Sequence, residues 1–360
     1  MAFSGQLKQN DIFGSIYNMI ISQQVFADDI AGLNDALVNR AKVDGGLYGD
    51  TKLYYATDVL KSAPWGKDAE AANLLALHRP NDPECQAITL DTFRQISLTV
   101  DNYLSKRAFA TEGAFASFNS VMLGRIGETK RIYDATTYNA YIGTVETAEG
   151  EQKQTIDVTT AVGSATGEEK NRLEGAAIGQ FIADLMVKLK DITRDFNDYG
   201  FLRSYNINDL MFVWNSDVVN KIEKRDLPTI YHKDIVEKLG EHVLPGRFFG
   251  TVNADSKAGG PGIRSLIEQD LTKSGGPTVH VFAGDLIPTG YTAPAGTSYT
   301  VDSTIAFKVI HKNSVPYMSA FEVGTSFFNP KSLTENHYLT WGHNTLEYLK
   351  NYPVITVRLG

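Results

Sequence analysis

Apolar and polar positions change period several times along this chain, and each change marks an element. The longest helical run is TGEEKNRLEGAAIGQFIADLMVKLKDITRDFNDY, residues 166–199. Leu173, Ala177, Phe181, Leu185, Leu189, Ile192 and Phe196 recur in steps of three and four, which is one face of a helix. Ile178, Ile182 and Met186 widen that stripe, while Glu174, Asp184, Lys188, Asp191 and Asp195 keep the other side wet. Thr166 and Glu169 have the spacing of a capping box, and Gly200 is placed to stop the helix. At 1.5 Å per residue the run predicts a strut of roughly 45–50 Å. That is too long for one compact core to cover.

Before the strut, residues 1–45 predict two short helices. Ile12, Phe13, Ile16, Tyr17 and Ile20 line the first; Ile30, Leu33 and Leu37 line the second, which starts at Asp28-Asp29 and stops at Gly45-Gly46. The period then becomes two. KLYYATDVL (52–60) is strand-like, and from Gln86 to Val100 the residues Ile88, Leu90, Ile96, Leu98 and Val100 share one face. These segments predict a long two-stranded ribbon over 47–103. An isolated hairpin is marginal in water, so the ribbon is expected to lean on another subunit. Its Tyr54, Tyr55, Ile96, Leu98 and Val100, with Phe13, Ile16 and Tyr17 of the arm, are the candidate inter-subunit contacts.

Residues 106–138 read as helix, and YNAYIGTVET–AEGE–QKQTIDVTT predicts a hairpin over 139–160. After the strut, DLMFVW (209–214) is a strand and 217–224 a short helix. IVEKLGEHVL (235–244) and IRSLIEQDL (263–271) are amphipathic, with AGGPG (258–262) between them; 278–282, 299–310 and 352–360 are β-like. The expected class is α+β with intertwined units.

Composition narrows the function. With 42% apolar and 21% charged residues the chain is ordinary globular material, without an apolar run near the roughly 18–20 residues of a membrane helix. A net charge of −8 argues against gripping nucleic acid, which takes clustered Lys and Arg. One cysteine, Cys85, excludes an internal disulfide, and no secretory signal is visible at the start. The seven histidines form no HExxH, and AGGPG lacks a Walker lysine. No GxSxG elbow is present, and the acid pairs Asp28-Asp29 and Glu168-Glu169 sit where helix dipoles want them. No catalytic residue, metal site or cofactor is expected.

The order of elements resembles the major capsid proteins of tailed double-stranded DNA bacteriophages, the Hong Kong 97 fold. The resemblance is carried most by FFNPKSLTENHYLTWGHNTLEYLKNYPVITVRLG (327–360) and by YNINDLMFVWNSDVVNKIEK (205–224). It implies an N-terminal arm (1–46), an extended β loop (47–103), a peripheral domain (104–205) holding the spine helix, an axial domain (206–320) and a return to the peripheral domain (321–360). It also implies self-assembly into hexamers and pentamers of an icosahedral head around the genome, built in the host cytoplasm. A separate scaffolding protein, a portal protein and a decoration protein are the implied partners, with non-specific contact to packaged DNA and none to membrane. Some members crosslink a lysine to an asparagine, but no pattern here pairs Lys61 or Lys67 with Asn329, Asn344 or Asn351. The alternatives are an encapsulin-like nanocompartment shell, a tail or baseplate protein, or a cytoplasmic enzyme with an unrecognised site.

Overall fold

The computed structural model describes residues 33–46, 50–62, 77, 79–101, 112–147, 150–222, 242–252, 268–271, 278–282, 291 and 299–360. The arm residues 1–32, the 258–262 loop and 223–241 lie outside them. In chain order the elements begin with α1 (Ala36–Ala41), β1 (Lys42–Asp44), β2 (Thr51–Ala56), β3 (Glu84–Asp101) and α2 (Glu112–Thr144). Then come β4 (Lys153–Ile156), α3 (Val158–Val162), α4 (Gly167–Lys190), β5 (Leu210–Asn215), α5 (Ser216–Ile222), β6 (His242–Leu244) and β7 (Gly250–Val252). The chain continues through β8 (Glu268–Leu271), β9 (Val279–Phe282), β10 (Tyr299–Val301), β11 (Ile305–His311), β12 (Tyr317–Asn329), β13 (Thr334–Asn344) and β14 (Val354–Leu359).

Two five-stranded sheets organise the molecule. One has the order β1-β12-β13-β3-β2, the other β4-β14-β11-β5-β6. The second is covered on both faces. Met211 and Val213 of β5 meet Tyr138, Tyr141 and Ile142 of α2, while Leu210, Phe212 and Trp214 meet Ile178, Ile182, Leu185 and Leu189 of α4. That double cover is why β5 and β11 are buried at every position instead of alternately. A third cluster, Ile88, Leu90, Met318, Ala320 and Leu349, fastens the first sheet to the body.

Three expectations are corrected. The strut is α4, 24 residues and about 36 Å long, ending at Lys190 and not at Gly200. Asp191 turns extended, and the following residues find tertiary partners: Thr193 bridges Arg203, and Tyr205 N donates to Leu189 O at 2.8 Å. Phe196 stays in the apolar stripe, 2% exposed, from outside the helix. Thr166 is the N-cap residue but its side chain makes no capping bond; Glu168 and Glu169 lie in the first turn, where the helix dipole favours acids.

No hairpin forms over 139–160. Residues 139–144 complete α2, 33 residues and about 50 Å long, and 153–156 form β4, paired in parallel with β14. Every residue from Tyr133 to Gly143 is buried, so this half of α2 has no wet face to print a period of 3.6 on the sequence. Likewise, the described ends of the two amphipathic segments, β6 and β8, are strands. Tertiary pairing overrides local preference there.

Candidate assembly surface

The ribbon does not wait for another subunit. β3 pairs with β2 from Glu84 to Thr89, and with β13 from Leu90 to Asp101. Its alternation is satisfied by the chain's own body. Ile88 and Leu90 are 2% and 1% exposed, Val100 is buried, Ile96 packs on the α2 core, and Leu98 is half-buried. Tyr54 rests on the third cluster, where burial raises its phenol pKa. Of the candidate contacts, Tyr55 remains open at 65% exposure, beside Leu53. Phe13, Ile16 and Tyr17 lie outside the described residues.

Beyond β2 the ribbon is tied to the turn that follows α4. The Asp58 carboxylate accepts from Leu202 N at 2.9 Å and Arg194 Nη1 at 2.7 Å, and Arg203 Nη2 donates to Thr57 O at 2.7 Å. Val59 and Leu60 lie exposed just past this tie. Lys61 is exposed, while Lys67 is outside the described residues. Asn344 is fully buried, accepting from Met318 N and donating to Pro316 O, and Asn351 holds Arg203. Both asparagines are bound up in the fold.

A second projection is the hairpin of β12 and β13. β1 pairs with β12 only at Tyr317–Ser319, and a register irregularity follows between Ala320 and Val323. From Glu322 to Phe328 every residue is exposed, including Val323, Phe327 and Phe328. Lys130 of α2 anchors the base of this projection, 3.3 Å from both Asp134 and Glu322.

Behind these surfaces lie polar groups that sequence reasoning missed. Tyr317 donates to Asp134 Oδ1 at 2.6 Å. His343 donates from Nδ1 to Asn344 O at 2.9 Å, so its Nε2 accepts from the Tyr133 hydroxyl, also at 2.9 Å. Lys308 is fully buried in β11, and Arg358 of β14 pairs with Glu146 and with Asp302. A lysine inside IAFKVIH was the legible signal. The arrangement braces layers together. Among the described residues no three His, Cys, Asp or Glu side chains are grouped to hold a metal, and Cys85 is an exposed free thiol.

A family model described as Phi29-like phage major capsid protein matches residues 4–356. The capsid structure of Staphylococcus phage Andhra matches at TM-score 0.63 and 12% identity, covering 94% of this chain and 88% of that one. A chain from the structure of the head fiber and inner core protein gp22 of native bacteriophage P68 matches at TM-score 0.64 and 11% identity, with the same coverages of 94% and 88%. The capsid of cyanophage P-SCSP1u matches at TM-score 0.50 and 10% identity, covering 100% and 97%. At these identities the likeness establishes the α+β fold of phage capsid proteins. No curated protein matches the chain.

Proposed function

The chain belongs to the Phi29-like phage major capsid protein family, and from that premise we propose how its parts serve a shell. Its role is structural: it is a capsid component of the virion, and its partner is itself, in many copies. We infer that the copies form hexameric and pentameric rings of an icosahedral head, assembled in the host cytoplasm around a separate scaffolding protein. A portal at one vertex, and a decoration protein where one binds, complete the proposed set of partners. We assign no catalytic residue.

In this reading 1–46 is the arm, 47–103 the extended loop, 104–205 with 321–360 the peripheral domain and 206–320 the axial domain. The observation that carries it is the pair of projections. Leu53 and Tyr55 on one, and Val323, Phe327 and Phe328 on the other, leave apolar surface open on a chain whose core is otherwise well covered. Many modest contacts engaged at once give a firm shell through effective concentration. The acidic balance keeps packaged DNA from adhering to the wall.

Electron microscopy of the full chain, expressed with the products of its neighbouring genes, tests the proposal. Closed shells with five- and six-fold rings are expected. Discrete small oligomers or tubes would overturn the proposed architecture. Leu53→Ser with Tyr55→Ser is expected to lower shell yield without unfolding the subunit.

A further inference from the structure

We propose that the free edge of β12, from Glu322 to Asn329, is an acceptor strand to which a second copy of this chain adds an extended segment. The inference rests on the reading of the chain as a shell subunit and names the surface that reading lacks.

The argument begins with the hydrogen-bonding groups. Every residue of a strand points its N–H and C=O to one side, alternately, so a strand paired on one side leaves half its groups without a ladder partner. β13 takes one side of β12 at Ser319–Ala320 and again from Val323 to Asn329. On the other side β1 serves Tyr317–Ser319, and Gly45 N adds a last bond to Ser319 O at 3.1 Å. There the chain must leave: a Cβ on Gly45 would stand 2.9 Å from the Ala320 Cβ and from a Leu90 methyl. Past that point no described residue pairs with this edge. It has thus already accepted one strand, and it stops being served where the projection begins.

Sequence makes the vacancy unusual. Soluble proteins guard long open edges with lysine, proline or inward charges, because a bare edge recruits other strands. Here VGTSFFN, residues 323–329, has no charged side chain and no proline. Glu322 lies before it, held toward Lys130 of α2, and Pro330 and Lys331 follow at the hairpin turn. A register irregularity lies between Ala320 and Val323, just past the point where β1 stops serving this edge. Phe327 and Phe328 stand on opposite faces, 65% and 49% exposed, available to grip an added strand from above and below.

The occupant follows from the family. A major capsid protein is surrounded by copies of itself, and a bare, uncharged edge with two phenylalanines is safe only where such a neighbour covers it. Strand addition supplies affinity through main-chain bonds, with alternate side-chain contacts setting the register.

Hydrogen exchange of the full chain, as free subunit and as assembled shell, tests this directly. In the free subunit the outward N–H groups of 322–329 should exchange quickly, while those bonded to β13 do not. On assembly the outward set should slow by about tenfold or more. In parallel, Val323→Lys with Phe327→Lys should leave the subunit folded by circular dichroism and cut shell yield by about tenfold, because edge lysines repel an added strand. Fast exchange of this set persisting in finished shells overturns the assignment alone, as does slow exchange already present in the free subunit. A wild-type chain that forms no shell overturns both this assignment and the function it rests on.

Discussion

Lys308 Nζ donates to Val145 O at 2.5 Å, so an amine buried in the middle of one sheet closes the C-terminal end of a helix in another layer. No basic residue lies in the last turn of α2. Lys308 supplies an N–H donor to that end, and Glu146, Asp302 and Arg358 surround it.

That placement has a pH signature. Burial first, offset in part by Glu146, lowers the Lys308 pKa from 10.5 to about 7. Below about 7 both folded and unfolded chains carry the proton; between there and 10.5 the unfolded chain binds more, so stability rises with pH. The buried phenols Tyr138, Tyr141 and Tyr317 have raised pKa values through burial, so their contribution falls once pH exceeds the ordinary tyrosine value of about 10. Thermal melts of the subunit should therefore rise above neutrality and turn down near pH 10. Lys308→Met should flatten the rise, and a slope unchanged by that variant would refute it.

Acid acts through two histidines. Burial lowers His311 to about 4 and also depresses His343. Each contributes stability that is present above the unfolded value of 6.5 and is lost as pH falls through the folded value. His311 accepts from Asn313 N on Nδ1 and stacks on Tyr352 with ring centroids 4.2 Å apart. His311→Phe keeps the stack without the titration. Its melting temperature should fall less than that of the wild type between pH 6.5 and 4.5.

The packing of α2 is tested by two glycines on the same helix. A Cβ at Gly143 would stand 1.9 Å from the Phe248 carbonyl oxygen, whereas one at Gly124 meets nothing within 4 Å. Gly143→Ala should destabilise by about 3 kcal/mol, because backbone has to move. Gly124→Ala should stabilise by about 0.5–1 kcal/mol through helix propensity. Denaturant titration of both variants reads the difference directly.

The ribbon tie predicts a local effect. Asp58→Ala removes the acceptor of Leu202 N and Arg194, freeing the segment beyond β2 from the turn after α4. Limited trypsin digestion should cut faster after Lys61, with the global melt little changed. Equal cutting rates would show that Thr57 and Arg203 hold the ribbon without Asp58.

Sequence pattern was a good guide where one side of an element is wet and a poor one where neither is. β3 was legible because Gln95, Ser97 and Thr99 face water while Ile96, Leu98 and Val100 face in. α4 was legible as a helix for the same reason. Its end was not, since Phe196 continues the stripe by tertiary packing after the helical backbone has stopped. YNAYIG of α2 read as strand because its aromatic residues are covered on all sides and keep no period. The partner of the ribbon was hidden too. β3 and β13 lie more than 230 residues apart at every paired position, and nothing local records that match. Of the residues on the proposed assembly surface, the sequence pattern singles out Tyr55. It does not single out Val323, Phe327 and Phe328, because an apolar residue in a strand looks alike whether a neighbour covers it or none does.

β14 lies between β11 and β4, where it separates two strands that come earlier in the chain. Lys153–Ile156 therefore waits for Val354–Leu359 before it has any neighbour in its sheet. During synthesis the ribosome releases nearly two hundred residues between those two segments, so closure of this layer comes late and all at once. A polypeptide interrupted before Val354 leaves Lys153–Ile156 without a neighbour in this sheet. The order of the strands makes completion of this sheet depend on the last segment to be synthesised.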